Sequence, residues 1–442
     1  MALSFDLVVA GGICVRPDGR ERADVGVVSG RIAALGDLRS AAAAERVLAA
    51  GLHVLPGVVD TQVHFREPGL THKEDLATGS AGAVLGGVTS VFEMPNTKPP
   101  TTTAAALRDK LERARGRMHC DHAFYVGATP DNAAELGAIE SLPGCCGVKV
   151  FMGSSTGELL VPDDDGIAAV LRGTTRRVAF HAEDEPRLRE RRSLAAAGRP
   201  ETHPLWRDAE TARLATARLL ALSRKLGRRV HVLHVTTAEE MDLLAAHRDL
   251  ASVEVTPQHL TLVAPECYLH LSTRAQMNPP IRDARHQEAL WAAVRAGIVD
   301  VVGSDHAPHT LEEKGQEYPD TPSGMTGVQT LLPLLLDHVH QGRLGLERVV
   351  DLTSAGPARI FGIAGKGRIA VGDDADLVLV DLNRRETITN AQVRSRCGWT
   401  PFDGMSVTGW PVATVLRGHV VMRDGEILGP PRGEALRFSA GG

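Results

Sequence analysis

The stretch Gly57-Val58-Val59-Asp60-Thr61-Gln62-Val63-His64 is an apolar run that closes on two polar groups able to bind a metal. It reads as a strand buried on both faces, as in parallel sheets covered by helices. Seven further runs repeat the pattern, at 88–94, 121–128, 147–152, 177–183, 229–236, 252–257 and 299–305. Helical stretches fall between them at 103–116, 207–226, 238–248 and 284–296. Eight such strands, most of them followed by a helix, predict an α/β fold whose strands close into a (β/α)8 TIM-type barrel. An open doubly wound sheet would need a Gly-rich phosphate loop after its first strand, and none is present.

The two ends of the chain read differently. Residues 5–52 carry short strands at Asp6–Val9, Val25–Val28 and Arg31–Leu35, with a Ser29-Gly30 turn. Residues 367–428 do the same at Arg368-Ile369, Asp376–Val380, Ala413–Leu416 and Val420-Val421, with turn signals at Gly372-Asp373 and Asp424-Gly425. The expected organisation is a small β-sandwich domain assembled from 1–53 and 363–442 around a barrel at 54–362. Ala41–Ala44 and Arg189–Arg192 read as solvated helical or loop stretches. The segment 310–324 follows the eighth strand and reads equally as a mobile active-site loop or a rigid rim.

Composition narrows the function. The 442 residues carry 49 Lys and Arg against 54 Asp and Glu, a formal charge of −5, which argues against nucleic acid as a partner. No apolar run reaches the length of about 18 residues that spans a membrane, and Met1–Asp6 lacks the features of a signal peptide. The cysteines, Cys14, Cys120, Cys145, Cys146, Cys267 and Cys397, form no C-x-x-C pair. They read as reduced thiols of a cytoplasmic protein.

Catalytic groups of such barrels stand at the C-terminal strand ends. There the sequence places Gln62 and His64, Lys149 in Gly147–Met152, His181, His234 and Asp305. Alternate residues of a strand share a side, so Gln62 and His64 can both face the mouth. Singly, each has an ordinary reading: a structural histidine, a boundary lysine, or a helix cap at Asp305. Jointly they occupy equivalent places in successive strand–helix units. Imidazole and carboxylate are natural ligands for zinc-class cations.

Several stretches then carry a resemblance: Pro56–Asp60, His64-Phe65-Arg66-Glu67-Pro68-Gly69, Lys73-Glu74-Asp75, Gly86–Thr89, Met94-Pro95-Asn96-Thr97, Asn278–Arg282 and Gly303–His309. Over nearly its whole length the chain resembles the amidohydrolase superfamily and, within it, the class I dihydroorotases. The resemblance implies that His64, His181, His234 and Asp305 are ligands to Zn2+. It implies a carbamate on Lys149 that bridges two ions. Gln62 stands where the family has a histidine, which leaves one or two ions open, and Gln258-His259 stands where many dihydroorotases have two histidines. Arg66 and Asn96 would hold a substrate carboxylate, Asn278 and His309 would add contacts, and Ser323 and Gly324 would approach the ring with backbone groups.

The implied activity is interconversion of N-carbamoyl-L-aspartate and (S)-dihydroorotate in pyrimidine (UMP) biosynthesis. Water activated on the metal would attack the ring amide carbonyl, with Asp305 as general acid/base. The substrate would be a small carboxylated cyclic ureide, with neither nucleic acid nor membrane as a partner. A hydantoinase- or allantoinase-like hydrolase is the alternative, as is a catalytically silent scaffold of aspartate transcarbamoylase. The family also implies a homo-oligomer, a dimer or larger, and an association with aspartate transcarbamoylase.

Overall fold

Eight parallel strands run in sequence order around the molecule. They are β1 (Val58–Val63), β2 (Val88–Glu93), β3 (Asp121–Gly127), β4 (Cys145–Phe151), β5 (Val178–His181), β6 (Val230–Val232), β7 (Ala251–Val255) and β8 (Val301–Val302). This computed structural model describes residues 4–155 and 159–439, so the first three residues of the N-terminal stretch read above lie outside it. Every residue of the eight strands is buried, which is why their sequences are apolar runs rather than alternating ones. The ring closes between its first and last members. Val63 bridges His306 in parallel, and His64 N–H donates to His306 O at 2.7 Å.

The helices begin where short polar side chains can accept from their free first-turn N–H groups. Thr103 caps Ala104–Ala114, Asp208 caps Ala209–Leu226, Thr237 caps Ala238–Ala245 and Asp283 caps Ala284–Arg295. Ala209–Leu226 stops at Gly227, whose φ of 63° is a left-handed terminus that glycine adopts without strain. No helix among the described residues is long and apolar enough to cross a membrane.

The terminal segments form two further sheets. One has four strands in the order Arg31–Gly36, Asp24–Val28, Phe5–Ala10, Ala43–Leu48. The other has seven and mixes both ends of the chain, with His53–Pro56 paired to Leu377–Thr387. Leu7, Val25, Val27 and Ile32 of the first share one core with Val54, Leu377, Leu379 and Val415 of the second. Two local expectations are corrected. Ala43 and Ala44 belong to a strand that runs parallel to Phe5–Ala10, because a strand at the edge of a sheet can stay largely exposed, as a solvated loop does. Arg368-Ile369 is not a strand, although Ile369 is buried in the shared core.

The last described residues cross the far end of the barrel. His122 donates to Glu434 O at 2.9 Å and Leu436 donates back to His122 O at 2.8 Å, while Leu436 packs in one cluster with Phe92 and Phe361. All six cysteines are free and buried. Cys145 and Cys146 are consecutive residues of β4, so their side chains leave the strand on opposite faces.

Candidate active site

One cavity opens at the C-terminal ends of the strands. It is lined by Gln62, His64, Arg66, Asn96, Lys149, Phe151, Ser155, His181, His234, Asn278, Asp305, Ala307, Ser323 and Gly324. Gln62, Lys149 and His181 lie within β1, β4 and β5, and His64 directly follows β1. His234 and Asp305 were expected inside their strands. They stand just beyond β6 and β8, at φ 35° and 44°, and Arg66 stands at φ 63°. A left-handed backbone costs a non-glycine residue of order 1 kcal/mol or more. Three such residues on one cavity mark where packing overrides local preference, and ending the strands early turns these side chains into the mouth.

On one side of the cavity, Asp305 Oδ1 accepts from Gln62 Nε2 at 3.0 Å and lies 3.2 Å from His64 Nε2. His64 Nδ1 is 2.8 Å from Asn96 Oδ1 and gives its proton to that oxygen. Burial, followed by the nearby Arg66 and Lys149, holds His64 well below the usual imidazole range, so the ring is neutral and its Nε2 is a bare lone pair. It then faces a carboxyl oxygen with no proton of its own to share. Burial pushes the Asp305 carboxyl up, with Lys149 pulling it back down.

On the other side, His181 Nε2 is 2.8 Å from Glu183 Oε2, and its Nδ1 is 3.0 Å from His234 Nε2. Burial alone would raise Glu183, but Arg207 and His181 outweigh it and hold the carboxyl well below its ordinary value. Glu183 therefore fixes the imidazole with Nδ1 turned toward His234, as carboxylates behind metal-binding histidines do.

Lys149 lies where both pairs feel it: its charge lowers His64, His181 and His234 and acts on Asp305. Its Nζ is buried without a hydrogen-bond partner, 4.5 Å from the centroid of the Phe151 ring, and burial pulls the ammonium down. His234 Nδ1 and Gln62 Oε1 are buried and unpartnered as well. Among the described residues no three His, Cys, Asp or Glu side chains are gathered into a closed metal-ligand set. The donors form two pairs, His64–Asp305 and His181–His234, with an orphaned lysine near both. Neutral imidazoles, bare lone pairs and unpartnered buried donor atoms are a set that fits cations, provided Lys149 contributes an oxygen.

Arg66 closes the opposite wall. It is 1% exposed, yet makes no ion pair with any carboxylate among the described residues. Its Nε donates to Pro308 O at 3.2 Å and its NH2 lies 3.2 Å from His309 Nε2. A buried guanidinium with no carboxylate in contact is expensive, although Asp305, Glu93, Glu313 and Glu74 act on it from a distance. His203 Nε2 meets Asn278 Oδ1 at 2.9 Å and orients that amide, whose Nδ2 is 3.3 Å from Ser155 Oγ. Gly324 has φ 138° and donates to Gln276 O at 2.9 Å; a Cβ there would stand 2.4 Å from Ala307 O, so glycine lets the backbone come this close.

Eleven of the twelve residues singled out in the sequence line this cavity; His309 stands behind Arg66 instead. Gln258 and His259 lie outside it, with Gln258 Nε2 bonded to Ser304 O at 2.7 Å and His259 Nε2 near Pro279 O at 3.0 Å, so they brace the loops. The sequence reading did not single out Glu183, Arg207, Phe151 or Ser155. Glu183 is two residues past His181 and so on the same side, which is a usable signal; Arg207 enters from a distant turn and leaves none. The segment 310–324 begins with the capping box of Thr310 and Glu313. It is tied inward by Lys314 Nζ, which donates to Pro322 O at 2.8 Å and Gln276 O at 3.2 Å.

Residues 53–421 match the model of the amidohydrolase family. The chain is 39% identical over 398 residues to a dihydroorotase of Halobacterium salinarum, covering 88% of this chain and 90% of the relative. It is 37% identical over 455 residues to an allantoinase of Rubrobacter xylanophilus, covering 98% of each. Among solved structures it superposes on the L-hydantoinase (dihydropyrimidinase) from Arthrobacter aurescens with a TM-score of 0.94 and 32% identity, over 98% of this chain and 99% of the other.

Proposed function

The chain belongs to the amidohydrolase family and is a hydrolase of carbon–nitrogen bonds in cyclic amides, and on that premise we propose that it is a dihydroorotase. The observation that carries this reading is Arg66, a buried guanidinium that makes no ion pair with a carboxylate among the described residues. A ring that bears a carboxylate supplies the missing charge. The uncharged rings of hydantoins and allantoin do not. Guanidinium binds carboxylate with two parallel hydrogen bonds, which fixes orientation as well as charge.

His64, His181, His234 and Asp305 would hold zinc, and a carbamate on Lys149 would add the oxygen that joins the two pairs into one ligand set. Carboxylation also removes the cost of an unpartnered buried ammonium. When bound, the metal supplies Lewis acidity toward water and the ring carbonyl. The chain's own residues do the rest. Arg66 and Asn96 hold the substrate carboxylate and so fix the ring over Asp305. Asp305, raised by burial, takes a proton from water at its carboxylate and returns it to the ring nitrogen that leaves. Ser323 and Gly324 bring backbone groups to the ring edge. The reaction balances as addition of one water across the ring C–N bond, giving N-carbamoyl-L-aspartate, and runs in reverse as cyclisation.

The full ring of charged and ligating groups favours an active enzyme over a silent scaffold. We also keep a place in pyrimidine biosynthesis, a cytoplasmic location, a homo-oligomer and association with aspartate transcarbamoylase as parts of this reading, all following from the dihydroorotase assignment. The test is a direct assay of zinc-loaded protein with dihydroorotate, allantoin and a hydantoin, repeated with Arg66→Met. Turnover is expected with dihydroorotate, and Arg66→Met should cut its kcat/KM about a hundredfold, since two charge-assisted hydrogen bonds are lost. Preferred turnover of allantoin or hydantoin by wild type, unaffected by Arg66→Met, overturns the assignment.

A further inference from the structure

We propose that Lys73 is a positioning residue that fixes the ring tautomer of His309 and so keeps an N–H of Arg66 free for a substrate carboxylate oxygen; this rests on the function proposed above.

The argument starts from who can donate to whom. Lys73 Nζ is 3.0 Å from His309 Nδ1 and 2.9 Å from Glu313 Oε1. An ammonium has only donors, so Nδ1 must accept. A neutral imidazole that accepts at Nδ1 carries its proton on Nε2. That Nε2 is 3.0 Å from Ser323 O, an acceptor that suits an N–H. Burial and the surrounding cations, Arg66, Lys73 and Lys314, keep the ring neutral.

The same Nε2 lies 3.2 Å from Arg66 NH2. With the proton on Nε2 this cannot be a hydrogen bond, because two N–H groups face each other. Arg66 therefore keeps a donor that nothing among the described residues satisfies, while the His309 N–H is taken by Ser323 O. A free N–H on a buried guanidinium is a seat for an anionic oxygen. The opposite tautomer would undo that seat. With its proton on Nδ1, which is 3.8 Å from Glu313 Oε2, His309 would turn a bare Nε2 toward Arg66 and accept from it. The guanidinium would then be satisfied internally and the subsite closed. Lys73 blocks that state.

The rest of the neighbourhood holds the device in place. Trp399 Nε1 donates to His309 O at 2.7 Å, and Glu313 is itself fixed by the capping box at Thr310. Lys73 is drawn from the Lys73-Glu74-Asp75 stretch, which does not line the cavity. Its one contact toward the site is the bond to His309.

The experiment compares wild type, Lys73→Met and Lys73→Arg as zinc-loaded protein. The first readout is the His309 tautomer, from two-bond proton–nitrogen correlation spectra of histidine-labelled protein, with His309→Gln to assign the ring. The second is the Kd of orotate against that of uracil, which lacks the carboxylate. The expected result is a proton on Nε2 in wild type and Lys73→Arg, and on Nδ1 in Lys73→Met. Orotate affinity should fall about tenfold in Lys73→Met, the worth of one hydrogen bond to a charged group, while uracil affinity is unchanged. Circular dichroism and Tm identify a misfolded variant, in which case Lys73→Gln takes its place with the same expectation. An Nε2 proton and wild-type orotate affinity in a folded Lys73→Met protein overturn the proposal. A tautomer that switches as described in a protein that does not turn over dihydroorotate leaves the proposal standing and removes the function instead.

Discussion

Gln62 Nε2 donates to Asp305 Oδ1 at 3.0 Å and leaves its own Oε1 buried with no partner. The amide thus engages the proposed general base through its nitrogen, while its one possible ligand atom is idle. A neutral amide oxygen is a weaker zinc ligand than imidazole. Gln62→His should therefore bind one more zinc per chain than wild type, with turnover that rises or holds. Elemental analysis of metal-loaded, desalted proteins gives the count, and equal stoichiometry in the two would show that residue 62 does not limit the site.

Asp305 stands at φ 44°, a conformation that asparagine tolerates and most residues do not. Asp305→Asn thus changes the chemistry with the least disturbance of the backbone. It should lower kcat roughly a hundredfold to ten-thousandfold, the usual worth of a general acid/base, with Tm close to wild type. Steady-state kinetics beside a thermal melt reads both, and near-normal kcat would remove Asp305 from proton transfer.

Lys366 is buried at the junction of the barrel with the terminal sheets. Its Nζ meets Asp121 Oδ2 at 2.8 Å, Asp374 Oδ2 at 3.4 Å and Asp376. These aspartates outweigh burial, which alone would lower the lysine, and raise it well above its usual value. Lys366→Met leaves those carboxylates facing one another without their cation. A loss of about 3–5 kcal/mol is expected, measured by urea unfolding. A loss below about 1 kcal/mol, the level of a surface pair, would mean that Arg417, whose guanidinium also bonds Asp121, alone balances the cluster.

Glu183, fully buried, accepts from Arg207 and His181 and is held well below its ordinary 4.5. A carboxyl depressed on folding adds stability above its unfolded pKa, and the gain disappears as pH falls toward the folded one. Glu183→Gln should cost about 2–3 kcal/mol at pH 7, the worth of hydrogen bonds to a charged group. The gap to wild type should narrow steadily below pH 4.5. Denaturant midpoints across that range supply the check, and a gap that is constant with pH would assign the effect to packing.

The barrel was legible because its signal is repetitive. Eight doubly buried strands need eight apolar runs, and each strand–helix unit restates the pattern, so β1 to β5 and β7 fall within two residues of their expected bounds. The candidate ligands were legible for the same reason: equivalent places in successive units bring Gln62, Lys149, His181 and Asp305 to one mouth.

Tertiary structure decided what depends on atoms from distant segments. No local pattern marks that β6 and β8 stop early, so that His234 and Asp305 leave their strands in strained conformations. Nor does sequence show that Glu183 turns His181, that Arg66 is buried without an ion pair among the described residues, or that Lys73 meets His309 across 236 positions of chain. Periodicity fixes which face a residue takes, because that is a property of the backbone repeat. Which lone pair meets which proton is a property of packing in three dimensions, and the residue types of the site gain their chemistry only there.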